Sequence, residues 1–374
     1  MEEVAKGYMD ELIDRSLIQV GKRYWGRIAT CRVHDLLRDL AIDKAKNLNS
    51  LYIYDEIKHS NISSTISSCP RHAVYSTGKK SLWLKKSNPL LRSLSLFDNC
   101  QHLLPICKKF RRHFTLSSSS VLNLLRLQTL DLFGLDWLVE LPVEICKLQE
   151  VRHLIGKFKN ESLHIDSLTK LQTLKYIQHM YWNEIKTEKL VNLRELWIYY
   201  AEMWIYYAEN EFSFDSMANL KSLQILSVEA GYSVTRFASV EIKGGDGETA
   251  RKQQQLLPKL ECLSLTASQL KDDPMPLLEK LPFLTILHLG EGFYSGKKIM
   301  CSAKGFLLLE ILLFDEYNFE IEEWQVEEEA LPRLRGLRIL EVPNLTIPER
   351  LKSIPTPDPC EYTTVSPDEA VRQY

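Results

Sequence analysis

Apolar residues recur along this chain in one short pattern: an apolar residue, two variable positions, a second apolar residue, one variable position, then a third. Clear copies start at Leu91 (LRSLSL), Leu127 (LQTLDL), Leu171 (LQTLKY), Leu193 (LRELWI) and Leu223 (LQILSV). Others start at Leu260 (LECLSL), Leu284 (LTILHL), Leu309 (LEILLF) and Leu334 (LRGLRI), with a weaker copy at Val151 (VRHLIG) and a degenerate candidate at 111–116 (RRHFTL). The last two apolar positions lie two apart, which is the side-chain period of a strand and not of a helix. The first sits in the turn before it, and all three point into one core. One such unit cannot bury its apolar side alone. Stacked units share a continuous core behind a parallel sheet.

The ten starts are 36, 24, 20, 22, 30, 37, 24, 25 and 25 residues apart. Most of these steps match the period of about 20–29 expected of leucine-rich repeats. The chain is therefore expected to be an α/β protein, an irregular leucine-rich-repeat solenoid with its parallel sheet on the concave face of a horseshoe. About ten to twelve repeats are expected over 91–350, after a junction and first capping repeat at 55–90. A disordered tail is expected at 351–374. The heptapeptide WIYYAEM at 197–203 is followed by WIYYAEN at 204–210. Seven is odd and far below a repeat length, so this duplication is expected in the loop after a strand.

Residues 1–54 do not follow the pattern. Apolar residues at 4, 5, 8, 12 and 13 have helical spacing. Ile18-Gln19-Val20 reads as a strand, 21–26 as a turn and 28–33 as the returning strand. A second amphipathic helix opens at His34-Asp35, with Asp35 where a helix N-terminus favours negative charge. Helix, hairpin, helix is the end of a winged-helix module.

Here the chain resembles a family. Tyr8-x-x-Glu11-Leu12-Ile13-x-Arg15-Ser16-Leu17-Ile18, followed by Cys31-Arg32-Val33-His34-Asp35-Leu36-Leu37-Arg38-Asp39-Leu40-Ala41, is similar to the end of the nucleotide-binding region of plant coiled-coil-class nucleotide-binding leucine-rich-repeat disease-resistance proteins. The resemblance continues at Leu141-Pro-x-Glu-Ile145, Glu322-Glu-Trp-x-Val-Glu-Glu328 and Leu331-Pro-x-Leu-x-x-Leu337, where the family often has Gly in place of Glu329. It implies that His34 and Asp35 correspond to the His and Asp of a nucleotide-sensing Met-His-Asp element, with Val33 in place of the Met. A His can donate a hydrogen bond to a phosphate oxygen. The sequence holds no G-x-x-x-x-G-K-[ST] loop. The expectation is a truncated receptor that has no cofactor of its own, and that meets ADP or ATP only if a nucleotide-binding domain is supplied by a fuller partner.

Charge and composition narrow the function. The net charge is -2, which argues against a general nucleic-acid binder. The acidic N-terminus lacks an apolar signal region and no stretch is long enough to span a bilayer, so a cytoplasmic protein is expected. Eight cysteines lie apart with no Cys-x-x-Cys pair, and read as reduced thiols without a metal. No catalytic motif is present, and no enzyme activity is expected. The glutamates from 320 to 329 read as a solvated convex segment.

The functional candidates are the outward positions of the strands, which offer polar and aromatic groups to solvent. They include Ser93, Ser95 and Phe97; Thr129, Asp131 and Phe133; Glu195, Trp197 and Tyr199; Ser227 and Glu229; Cys262, Ser264 and Thr266; then His288, Asp315 and Arg338. Exposed aromatics amid polar groups suit protein interfaces, and Trp197 and Tyr199 stand out. The expected function is recognition of a pathogen-derived or host protein, coupled to regulation of a nucleotide-binding module in a defence response. The competing expectation is a generic repeat adaptor without an immune role, such as a substrate-recruiting subunit with an F-box-like N-terminus. Residues 1–54 fit the winged-helix end instead.

Overall fold

The computed structural model describes residues 2–21, 23–24, 27–28, 31–55, 71–77, 89–98, 123–135, 139–158, 164–182, 185–200, 217, 219–230, 257–266, 270, 272–315, 321–340 and 345–358. The chain opens with helix α1 (Glu2–Asp14). Short strands β1 (Ile18–Val20), β2 (Arg23–Tyr24), β3 (Arg27–Ile28) and β4 (Cys31–Val33) follow, then helix α2 (Asp35–Asn47). β1 pairs antiparallel with β4, and β2 with β3, which forms the expected hairpin. Both helices close in the same way. The Leu17 N–H bonds to the Leu12 carbonyl at 3.0 Å, and the Ser50 N–H to that of Ala45 at 2.9 Å. Ser16 (φ 56°) and Asn49 (φ 49°) take the left-handed turn that such an ending requires.

Twelve parallel strands then form one sheet. They are β5 (Leu51–Asp55), β6 (His72–Thr77), β7 (Ser93–Asp98), β8 (Thr129–Gly134), β9 (His153–Phe158), β10 (Thr173–Gln178), β11 (Glu195–Tyr200), β12 (Ile225–Ala230), β13 (Cys262–Leu265), β14 (Ile286–Gly290), β16 (Ile311–Asp315) and β18 (Gly336–Leu340). β15 (Lys298–Cys301) and β17 (Glu323–Val326) pair separately behind it. Each of the ten apolar starts read from the sequence lies two residues before a strand, from Leu91 before β7 to Leu334 before β18. The degenerate candidate at 111–116 lies outside the described residues, as does the second copy of the heptapeptide. Residues 197–200 of the first copy lie within β11.

Two expected boundaries are corrected. The sheet begins at Leu51, inside the span assigned to the winged-helix segment, and β6 extends it before Leu91. The tail is structured as far as residue 358. A 3-10 turn (Glu349–Leu351) leads to Pro355, whose carbonyl accepts the Leu337 N–H at 3.0 Å, and Pro357 sits against Gly336. This segment covers the last strand, where an open edge would otherwise invite another chain.

The strands are locked together just ahead of their first residues. The N–H of Arg92 bonds to the carbonyl of Arg71, Gln128 to Arg92, Arg152 to Gln128, Gln172 to Arg152, and Arg194 to Gln172. The ladder continues through Gln224, Glu261, Thr285 and Glu310 to Arg335, every bond between 2.6 and 2.9 Å. Behind the sheet, leucines such as Leu130, Leu154, Leu196, Leu226, Leu263 and Leu287 form one continuous buried core. Short 3-10 turns, for example Val143–Lys147 and Ile165–Ser167, return the chain to the next strand.

Three turns share one backbone feature. Leu257, Phe306 and Leu331, each three residues before a repeat start, have φ of 46°, 55° and 54°. Left-handed backbone costs an L-residue about 1–2 kcal/mol, and burial of the three side chains offsets it. Glu329 is left-handed too (φ 63°), at the site where the resembling family often has Gly.

Leu263 is fully buried in the middle of the core. Leu263→Ala should cost about 2–5 kcal/mol, and Leu263→Asp should unravel neighbouring repeats by burying an unpaired charge. Urea denaturation followed by circular dichroism reads both. An unchanged midpoint would show that Leu263 does not point inward.

Candidate functional site: the open face of the sheet

The open face is set by register. Glu195, Ile225, Cys262, Ile286, Ile311 and Gly336 stand in one row across β11 to β18. Trp197, Ser227, Ser264, His288, Leu313 and Arg338 stand in the next. Sequence reading placed Glu195, Cys262, Trp197, Ser227, Ser264, His288 and Arg338 outward, and they do leave the leucine core. They are not the exposed positions expected, however. Trp197 is 4% exposed, His288 5%, and Ser227 and Ser264 are fully buried. Tyr176, Trp197, Ile225, Cys262, Ile286, Ile311 and Leu313 form a second hydrophobic cluster, with Phe133, Ile155 and Tyr199 against it. Side chains on a closely spaced parallel ladder cover one another, so an outward direction does not make an accessible residue.

Tyr176 was missed because strict alternation placed it inward as the last apolar site of LQTLKY. The ladder is irregular here: register slips by one residue between β7 and β8, between β9 and β10, and between β10 and β11. Tyr176 is the bulge residue (φ 63°). The bulge turns Tyr176 onto the open face and puts Ile177 in the core. Tyr176 stacks on Phe133 at 4.6 Å and meets Trp197 edge-on at 5.3 Å. The only local signal in the sequence is the apolar pair Tyr176-Ile177 where alternation allows one.

Charges frame the aromatic group. Lys175 Nζ lies 2.7 Å from Glu195 Oε1 and 4.5 Å from the centre of the Trp197 ring. The Trp197 indole N–H donates to Glu195 at 3.1 Å. The buried amide of Gln178 donates to the Tyr199 hydroxyl at 3.1 Å, and burial pushes the Tyr199 phenol above its ordinary range. The Asp131 carboxylate accepts the Phe133 N–H at 3.0 Å. Burial raises the pKa of Asp131 against the opposing pull of that bond and of Lys175.

At the other end a polar chain crosses four strands. Ser264 Oγ lies 2.9 Å from His288 Nδ1, His288 Nε2 lies 3.4 Å from Asp315 Oδ2, and Arg338 Nε lies 3.0 Å from Asp315 Oδ1. Ser, His and Asp are the components of a hydrolase triad, but here the serine faces Nδ1 and the acid Nε2, the reverse of that arrangement. Ser264 is fully buried and Asp315 is held by Arg338, so this set offers no reachable nucleophile. Cys262 is inert for a related reason, since burial pushes its thiol up to about 12. Among the described residues, no group of three or more His, Cys, Asp or Glu side chains is placed to hold a metal ion. No helix among them is long and apolar enough to cross a membrane. The side chains of Phe97 and Glu229 lie outside the described residues.

His34 and Asp35 are far from this face in role. Both are exposed. His34 caps α2, its Nδ1 accepting the Leu36 N–H at 3.3 Å, and Asp35 pairs with Arg38 at 3.0 Å. Glutamates of the acidic run pair with lysines one repeat earlier, Glu322 with Lys297 at 2.6 Å, Glu323 with Lys298 at 3.4 Å and Glu329 with Lys304 at 3.7 Å.

Two family models match the chain. A leucine-rich repeat region model covers residues 112–349, and a disease resistance protein winged helix domain model covers residues 1–41. The chain belongs to the leucine-rich-repeat family. With its winged-helix end it corresponds to the C-terminal part of a plant nucleotide-binding leucine-rich-repeat disease-resistance protein. Two Arabidopsis thaliana relatives are a putative disease resistance RPP13-like protein 3, 32% identical, and disease resistance protein RPP13, 33% identical. Each match covers 94% of this chain but 46% and 45% of those relatives, so the chain spans about half their length. A solved internalin from Listeria monocytogenes aligns over 76% of this chain and 72% of its own, at 18% identity and a TM-score of 0.47.

Two substitutions test the packing of this face. Trp197→Ala removes a buried ring and should cost about 3–5 kcal/mol, whereas Tyr199→Phe keeps its ring and should cost about 1 kcal/mol. Equal melting temperatures for wild type and Trp197→Ala would show an exposed indole. Asp131 holds its proton to a higher pH in the folded chain than in the unfolded one. Its contribution to stability is therefore full below the ordinary carboxylate range and is lost as pH rises through the raised value. Asp131→Asn should stabilise the chain at neutral pH, with the gain vanishing in acid. A gain of the same size at every pH would contradict the shift.

Proposed function

We propose that this chain is the recognition and restraint portion of a plant intracellular immune receptor, working in the cytoplasm. The open face receives a pathogen-derived or host protein through its half-buried groups, Phe133 and Tyr199 at one end and Asp315 and Arg338 at the other. The N-terminal segment couples the array to a nucleotide-binding module. The names of the relatives support the immune setting.

One contact carries the coupling. Arg27, on the β2–β3 hairpin, donates to the Gln224 side chain at 3.1 Å and lies 3.6 Å from Glu261. It ties the winged-helix hairpin to the starts of β12 and β13. Both partners of the ion pair are over 40% exposed, so it is worth about 0–1 kcal/mol. A contact that weak can hold a resting arrangement and still be displaced by a ligand.

The N-terminal segment also leaves apolar surface open. Val4, Tyr8 and Leu12 line one face of α1, Leu36 and Leu40 are exposed on α2, and no residue of α2 is buried. This surface suits the nucleotide-binding module. His34 fits the sensor role as one donor. With Nδ1 occupied as an acceptor, the ring proton resides on Nε2, where it can meet a phosphate oxygen of ADP. The phosphate-cradling loop has to come from the module supplied.

Co-expression with the nucleotide-binding region of a full-length relative tests this reading. The chain should co-precipitate with that region and suppress its cell-death output. Arg27→Glu should relieve the suppression, and adding Glu261→Arg should restore it. No association and no change in cell death would sink the proposal and favour a repeat adaptor without an immune role.

A further inference from the structure

The hydrogen-bonded row just ahead of the strands changes character along its length. At β12 and β13 it presents Gln224 and Glu261, and these take the cationic Arg27. At β6, β7, β9 and β11 the same row presents Arg71, Arg92, Arg152 and Arg194. Arg71 and Arg194 are exposed and the other two half-buried. Among the described residues, no carboxylate forms an ion pair with Arg71, Arg92 or Arg194. His72, the first residue of β6, registers the resulting field. Its pKa is lowered first by burial, then by the charges of Arg92 and Arg71.

We infer that this arginine row is a docking edge for an acidic polypeptide segment lying across the strands in extended form. The row already acts as a docking edge at its acidic end, where the occupant is a cation, and its basic end has the opposite sign. Arg92, Arg152 and Arg194 are each two strands apart in the ladder. Strands lie about 4.7–4.9 Å apart, so each arginine is about 10 Å from the next. An extended chain rises about 3.3 Å per residue, which brings every third side chain to the same spacing. Guanidinium groups bind carboxylates through paired hydrogen bonds. A single file of arginines beside Asp131 and Glu195 on a chain of net charge -2 lacks the broad basic surface that a nucleic acid requires. The inference rests on the reading that this side of the array meets a protein and takes the Arg27 contact as its precedent, but it does not depend on the aromatic cluster.

The test uses the full chain and a fluorescently labelled peptide with Glu at every third position, read by anisotropy at low and at physiological salt. Binding should weaken with salt, and a peptide of the same composition with its glutamates clustered should bind less well. Arg92→Gln, Arg152→Gln and Arg194→Gln together should weaken binding about tenfold. Gln is what the row itself carries at 128, 172 and 224, so the fold should hold, as circular dichroism will show. Lys170→Gln, on a turn where Lys170 pairs with Glu150, should change nothing. No binding, binding untouched by the triple substitution, or tighter binding to a single-stranded oligonucleotide would overturn the inference. Failure of the unsubstituted chain to bind the peptide, with its cell-death suppression intact, would overturn this inference alone, leaving the receptor reading in place.

Discussion

The whole repeat array depends on the stacking of inward leucines behind a parallel ladder. Among the described residues no strand in the sheet is longer than six residues, and none has a core of its own. A buried leucine contributes about 1.5–3 kcal/mol, but only when its neighbours exclude water on both sides. Stability is therefore shared between adjacent repeats. The ends are the weak points. The turn and tail around Pro355 and Pro357 close one of them.

The same close stacking shapes the open face. Strands held in register at their starts bring Ile225, Cys262, Ile286 and Ile311 into one row and Ser264, His288 and Arg338 into another. Rows so close shield one another, and the face becomes a second apolar layer with polar groups set into it. The bulge at Tyr176 is the exception that supplies the aromatic group, because it breaks the alternation that would have buried that ring in the main core.

The N-terminal segment obeys a different rule. Its two helices end in well-formed left-handed turns, yet α2 buries no residue and α1 shows its apolar side to solvent. Local signals suffice to form a helix. A covered core needs a partner, and the Arg27 contact with the array is weak and exposed.

How much of this was legible in the sequence follows from the range of each interaction. The repeat, its ten strand starts and the hairpin between two helices were all set by neighbours a few residues apart, and reading them required only the period of apolar positions. His34 at a helix start was legible for the same reason. The burial of Trp197 and His288, the outward turn of Tyr176, the chain from Ser264 to Arg338 and the reach of Arg27 to Glu261 were not. Each joins residues that the sequence separates by about one repeat or far more, and each depends on a register that a single bulge can shift. Sequence by itself determined what kind of surface this protein builds. Tertiary structure alone decided which side chains that surface leaves open, because exposure belongs to the stacked array and not to any repeat within it.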